Sequence, residues 1–321
     1  MLNCVNLLIR KRSTFRNMST VTQPSPSDAN SNNRKPRNRW NRDVPRKGFG
    51  ENISDTGGSR PTHFLCLPLG HHPDLQDKMT RFQSSLLEDS VDGLDPSILI
   101  KPRRLHFTLG VMSLSPRSSI SSQSTTTVES ALTLLRSLQP QLSELCAVGK
   151  SGTLQASLER LGAFESNDGA RVMWVSPREN EGWPESEEEL EERVKLVRVA
   201  DMVHQAFKDA GYITETRPLK LHCTLINTSY RKPFSRKPQL FSFTDVLASN
   251  TLLELRPNGY STQATSVSSP PESSPDRTTR VALGTYTIPE IQLCAMGSHG
   301  PEDEYVSLGS VKFNADVARG E

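Results

Sequence analysis

The sequence predicts a mixed α and β domain assembled from a duplicated half, preceded by a basic tail and interrupted by two polar inserts. Three observations carry this prediction. Residues 102–109 and 218–225 repeat one pattern in the same register. Short apolar runs alternate with stretches of helical periodicity, with no Gly-rich phosphate loop between them. Charge is split along the chain. Residues 1–47 hold eleven Lys and Arg against two Asp, a balance of +9, so residues 48–321 carry −7 although the whole chain is +2. A length of 321 residues leaves room for one large domain or two ordinary ones.

Residues 19–60 are rich in Ser, Asn, Arg, Pro and Gly and lack periodicity, so a disordered basic tail is predicted over 1–60. Leu2, Val5, Leu7, Leu8 and Ile9 lead into Arg10, Lys11, Arg12 and Arg16 with no acid before Asp28, the composition of a mitochondrial transit peptide. The cluster at 34–47, with Trp40 inside it, competes as a nuclear or RNA-contacting patch or as a solvated linker. The expected compartment is the nucleus or cytoplasm, with the mitochondrion as the alternative.

Structure is expected to begin at Pro61, and the folded domain is placed at 61–315. Residues 63–69 are an apolar run short enough for a buried strand. Over 74–87, Leu75, Met79, Phe82 and Leu86 share one helical face. Residues 105–112 read as a strand, and 113–127, nearly all Ser, Thr and Pro, as a surface insert. Val128, Leu132, Leu135 and Leu138 give 128–145 helical periodicity, which Pro140 ends or kinks. Strands at 154–164 and 170–175 flank Asn167-Asp168-Gly169, a hairpin signal. A long helix is predicted over 185–210, where early acidic residues suit the positive end of the helix dipole and Gly211 stands at the C-cap. A strand at 219–226 follows. A second Ser/Pro-rich insert spans 257–280. Strands at 285–295 and 305–313 close the chain around a turn at 297–304.

Several functions are excluded. No apolar run approaches the ~18 residues of a transmembrane helix, so no membrane role is expected. Cys4, Cys66, Cys146, Cys223 and Cys294 form no CxxC pair, which argues against a zinc module or a disulfide scaffold. GxxxxGK[ST], GxGxxG, GxSxG, HExxH and EF-hand patterns are missing.

The repeat carries the chemistry. Pro102-Arg-Arg104-Leu-His106-Phe-Thr108-Leu109 matches Pro218-Leu-Lys220-Leu-His222-Cys-Thr224-Leu225 in Pro, a basic residue, Leu, His, Thr and Leu. Strand alternation turns Leu105, Phe107 and Leu109 to one face and Arg104, His106 and Thr108 to the other; Leu221, Cys223 and Leu225 oppose Lys220, His222 and Thr224 in the same way. If the halves pack about a pseudo-twofold axis, two His and two Thr converge on one cleft. That set suits phosphodiester chemistry without a metal or other cofactor. One imidazole takes a proton and the other gives one, while Thr hydroxyls donate to non-bridging oxygens. Arg104, Lys220 or Arg231 can add positive charge. The plain alternative is coincidence or a decayed duplicate.

The paired His-x-Thr strands, with Pro61-Thr-His-Phe-Leu opening the domain, resemble the 2H phosphoesterase superfamily. The extension of the second motif through Asn227 and Arg231 to Lys232, the Phe243-Thr-Asp-Val segment and residues 288–313 are similar to the A-kinase anchor protein 7-like phosphoesterase domain, which activating signal cointegrator 1 complex subunit 1 shares. The resemblance implies a bilobal, pseudo-twofold α+β fold in which two antiparallel sheets line a cleft with helices outside. It implies catalytic roles for His106, Thr108, His222 and Thr224, with Arg104, Lys220, Tyr230 and Arg231 as substrate-binding candidates. The implied partner is RNA or a small nucleotide, as RNA ends, 2′,3′-cyclic phosphates or 2′-5′ linkages, acted on by a monomeric domain. The alternative is a nucleotide- or RNA-binding subunit of a nuclear transcription-coactivator or DNA-repair complex with little or no catalysis. Residues 1–60 hold no GxxG loop, so the KH module of that cointegrator subunit is not expected there.

The remaining candidates read more plainly. His63 is expected to be structural, His71 and His72 to sit in a turn without metal-ligand spacing, His204 to lie on a helix face and His299 to be exposed in a turn. Trp174 and Cys223 are expected in the core. Tyr230 and Arg231 either border the substrate or form a surface loop.

Overall fold

The structure, a computed structural model, describes residues 60–115, 126–147, 153–178, 186–237, 239–257 and 277–313. The expected tail up to residue 59, and residues 116–125 and 258–276 of the two inserts, lie outside them.

Among the described residues, eight strands form one antiparallel ladder: β1 (His63–Pro68), β2 (His106–Met112), β3 (Leu154–Ser166), β4 (Gly169–Ser176), β5 (Cys223–Asn227), β6 (Thr278–Ile288), β7 (Glu290–Ala295) and β8 (Ser307–Lys312), in the order β6-β3-β4-β5-β2-β1-β7-β8. The two sheets expected from the sequence are thus four-stranded halves of a single sheet. They join where β2 meets β5, and the join is one registered pair, Phe107 opposite Cys223. The ladder between the halves is therefore short, and β5 begins four residues later than predicted. The helices are α1 (Pro73–Glu88), α2 (Val128–Ser137), α3 (Gln139–Ala147), α4 (Glu187–Asp209), α5 (Phe243–Ala248) and α6 (Asn250–Glu254). The duplication is visible in the connectivity: β1-α1-β2 and β4-α4-β5 each run strand, helix, motif strand.

Local chemistry explains the elements. Leu75, Met79, Phe82 and Leu86 of α1 are all buried, each stabilising by about 1.5–3 kcal/mol relative to exposure. The predicted helix at 128–145 divides at Leu138, with Pro140 in the first turn of α3, where its missing N–H costs nothing. Ser186 and Glu189 form a capping box at the start of α4. At its other end Gly211, at φ +78°, donates to the Lys208 carbonyl and Tyr212 to that of Phe207, a Schellman closure. The strand predicted at 285–295 is instead the end of β6 followed by β7, because Pro289 has no N–H for the ladder. Residues 278–280, read as insert, belong to β6. The short helices α5 and α6 had no sequence prediction.

One hydrophobic cluster runs through both halves, from Leu65, Leu75 and Phe107 to Leu158, Val203, Cys223 and Leu283. A second, small cluster of Phe64, Cys66 and Cys294, with Val111 and Tyr305 packed on it, lies outside the first. It sits on the opposite face of the sheet and forms part of the cleft floor. Among the described residues, no helix is long and apolar enough to cross a membrane.

Candidate active site

The join between the halves is also where the candidate site residues meet. Phe107 and Cys223 are completely buried on the core face, so their neighbours in sequence face the other way. Continued one residue to each side, the Phe107–Cys223 register sets His106 across from Thr224 and Thr108 across from His222. Burial confirms the alternation: Leu105, Leu109 and Leu225 are core, whereas His106, Thr108, His222 and Thr224 are half-buried.

Each histidine is held by the same local bond. His106 Nδ1 lies 2.6 Å from the Arg104 carbonyl and His222 Nδ1 lies 2.7 Å from the Lys220 carbonyl. A carbonyl only accepts, so Nδ1 carries the proton in both rings and Nε2 carries the basic lone pair of each neutral imidazole. His106 Nε2 stands 3.1 Å from Thr108 Oγ1. Burial pushes His106 down to about 4, helped by the nearby His222 and Arg104 charges and opposed by the Arg104 carbonyl bond. It is therefore neutral throughout the physiological range.

Aromatic rings enclose both imidazoles. Around His106 stand Phe64, with ring centroids 5.1 Å apart, and Tyr305, edge-on at 5.4 Å. Around His222 stand Phe164, edge-on at 5.3 Å, and Trp174 at 6.4 Å. Sequence reasoning missed Phe64, Tyr305 and Phe164 as site residues and placed Trp174 in the core. Trp174 is fully buried, as expected, and it also pairs across the ladder with Thr224 on the cleft face. The signal for it was the register of β4 against the second motif, which only the hairpin at Asn167–Gly169 could have anchored.

The two basic motif residues behave differently. Arg104 ends a 3-10 turn, Pro102–Arg104, rather than lying in the strand. Its guanidinium donates to the carbonyls of Asp303 (2.7 Å) and Ser298, contacts His299 and stacks 4.3 Å from the Tyr305 ring centre. Lys101 and Arg103 pair with Asp303 and Glu302. This basic turn thus fastens the β7–β8 loop and sets Tyr305 against His106. Lys220, by contrast, carries its ammonium 4.9 Å from the Trp174 ring centre and 5.7 Å from that of Phe164, beside His222.

Tyr230, 44% exposed, has its hydroxyl 3.5 Å from that of Tyr305, which brings the segment after β5 to the mouth above His106. Arg231 turns away and donates to the Gly93 carbonyl. Cys223 is pushed up to about 12 by burial and is no nucleophile. His204 lies on a face of α4, as expected; that face is the buried one, and His204 Nδ1 lies 2.7 Å from the Leu109 carbonyl, at the bulge one residue past Thr108. His72 meets the Thr287 carbonyl at 2.7 Å, and His299 is exposed as expected. Among the described residues no cluster of His, Cys, Asp or Glu could hold a metal ion.

A domain with two HxT strands paired side by side in one sheet belongs to the 2H phosphoesterase class. The family described as the AKAP7 2'5' RNA ligase-like domain matches residues 61–313, and the chain belongs to that family. Comparison with curated proteins returned no match. Solved structures with detectable similarity include LigT of E. coli complexed with 3'-AMP (13% identity, TM-score 0.37, covering 79% of this chain and 99% of that one). Another is E. coli LigT complexed with NADP+ (14%, TM-score 0.36, 78% and 97%). A third is TT0787 of Thermus thermophilus (14%, TM-score 0.39, 79% and 99%).

Proposed function

We propose that this protein is a phosphoesterase that cleaves a phosphodiester at an RNA end, a 2′,3′-cyclic phosphate or a 2′-5′ linkage by paired acid–base catalysis. The observation that carries this reading is the convergence of two imidazoles, each held through Nδ1, on either side of the Phe107–Cys223 pair. His106, neutral at pH 7, is the base. Its Nε2 accepts a proton from water, or from a ribose hydroxyl, as that oxygen bonds to phosphorus. The bond from phosphorus to the leaving oxygen breaks, and His222, which enters the reaction as an imidazolium protonated on both nitrogens, delivers its Nε2 proton to that oxygen and is left neutral with Nδ1–H on the Lys220 carbonyl. Thr108 and Thr224 donate to the non-bridging oxygens and hold phosphorus in line. Lys220 lies on the His222 side, where charge grows on the leaving group.

The test is turnover, in EDTA, of a panel of 2′,3′-cyclic nucleotides, 2′-5′ oligoadenylate and short RNAs with defined 3′ ends. His106→Ala and His222→Ala should each lower turnover by ~10²-fold or more. Saturable binding without turnover of any substrate would instead support a nucleotide-binding subunit.

A further inference from the structure

The segment that leaves β5 is strongly basic. Residues 230–237 read Tyr-Arg-Lys-Pro-Phe-Ser-Arg-Lys, four cations in eight positions, and no acid occurs from 226 to 240. This is the reverse of the acidic balance of residues 48–321. Lys232, Arg236 and Lys237 are exposed, and Phe234, at 59%, is the most exposed large hydrophobic side chain among the described residues. Phe234 thus presents much of its ring to solvent beside these three cations.

The loop is also held at its root. The Arg231 guanidinium donates to the Gly93 carbonyl, its backbone N–H to the Thr228 carbonyl at 3.2 Å, and the Lys232 N–H to Ser97 Oγ at 2.9 Å. Arg231 is thus an anchor, and the other three cations are the ones displayed. At its near end, Tyr230 reaches the Tyr305 hydroxyl above His106. The run of aromatic, cation and aromatic therefore starts at the reacting centre and leads outward.

Cations spaced along a surface with exposed rings between them match the chemistry of a single nucleic-acid strand, whose phosphates take the cations and whose unpaired bases stack on the rings. We propose that residues 230–237 form a binding track for single-stranded polynucleotide, and that the cleft works on the end of a chain rather than on a free mononucleotide. The proposal rests on reading the cleft as a phosphodiester site, since that fixes where the strand begins. An acidic protein partner would use the cations and leave Phe234 and Tyr230 idle.

Binding rather than turnover tests it. Fluorescein-labelled single-stranded RNAs of two, four and eight nucleotides are titrated by anisotropy with the full chain, with Phe234→Ala, and with the triple variant Lys232→Gln/Arg236→Gln/Lys237→Gln. Thermal unfolding of each variant serves as the folding control, because the altered side chains are exposed. Affinity should rise at least tenfold from two to eight nucleotides, and each variant should lose tenfold or more on the eight-mer. The slope of log affinity against log salt should fall by about 2 in the triple variant, at about 0.7 per phosphate contact. Affinity independent of length, an eight-mer bound equally by the variants, or duplex RNA bound as tightly as single strands would overturn the proposal. Length-independent binding with cyclic-phosphate turnover would remove the track and spare the catalytic reading; length-dependent binding without turnover would do the reverse.

Discussion

At the scale of the residue, the two histidines are prepared alike. Both give Nδ1–H to the carbonyl two residues back, a bond that the spacing of the motif itself provides. His106 is then enclosed by Phe64 and Tyr305, and burial holds it near 4. Protonation is thus disfavoured in the folded state. Between about pH 6.5 and 4 the unfolded chain binds a proton that the folded chain refuses, so this contribution to stability is complete above 6.5 and is lost as the pH falls toward 4. NMR titration of the His106 imidazole should give a midpoint near 4 in the native protein. Tyr305→Ala, which admits water to the ring, should move it up toward 6.5; an unmoved midpoint would mean that burial by Tyr305 is not the cause. The paired His and Thr of the candidate site stand out in the sequence because they recur at matched spacing. The rings around them do not, since Phe64, Phe164 and Tyr305 come from three strands or their ends and share no spacing with the motif.

At the scale of the element, close approach of strands decides how the rings sit. Trp174 of β4 lies over Gly162 of β3, its cross-strand partner, and a Cβ there would come within 2.5 Å of the indole. Gly162→Ala should push the indole toward His222, costing about 1–3 kcal/mol of stability and lowering kcat more than it raises KM. Unfolding titrations and steady-state kinetics check both; unchanged kinetics with lowered stability would make Trp174 a packing residue only. Helix α1 was predicted to within a residue at each end, because four apolar residues on one face outweigh everything else in the window. Strand β5 starts later than alternation predicts, because the alternation continues through 219–222, beyond the point where the ladder with β2 ends.

At the scale of the whole molecule, two halves share one sheet and one core. The hydrophobic cluster passes from β1 and α1 through Phe107 and Cys223 to β3, α4 and β6 without a break. The halves should therefore not unfold separately. Residues 60–313 should show one transition, coincident by circular dichroism and tryptophan fluorescence, and two resolved transitions would contradict a continuous core. Phe107→Ala, at the join, should cost about 3–5 kcal/mol and lower that single transition as a unit. The single sheet was not legible in advance, because a duplicated sequence looks the same whether its halves form one ladder or two; the Phe107–Cys223 pair, with the Leu99–Ile226 bridge beside it, decides it.

The central claim is that His106 removes the proton and His222 supplies one to the leaving oxygen. The most direct measurement compares kcat/KM on a nucleoside phosphodiester with a poor, alkoxide leaving group and on its p-nitrophenyl counterpart, which departs without a proton. The account predicts that His222→Ala is impaired ~10²-fold or more on the first and largely restored on the second, while His106→Ala is impaired on both. Equal impairment of the two variants on both substrates, or rescue of His106→Ala alone, would contradict it.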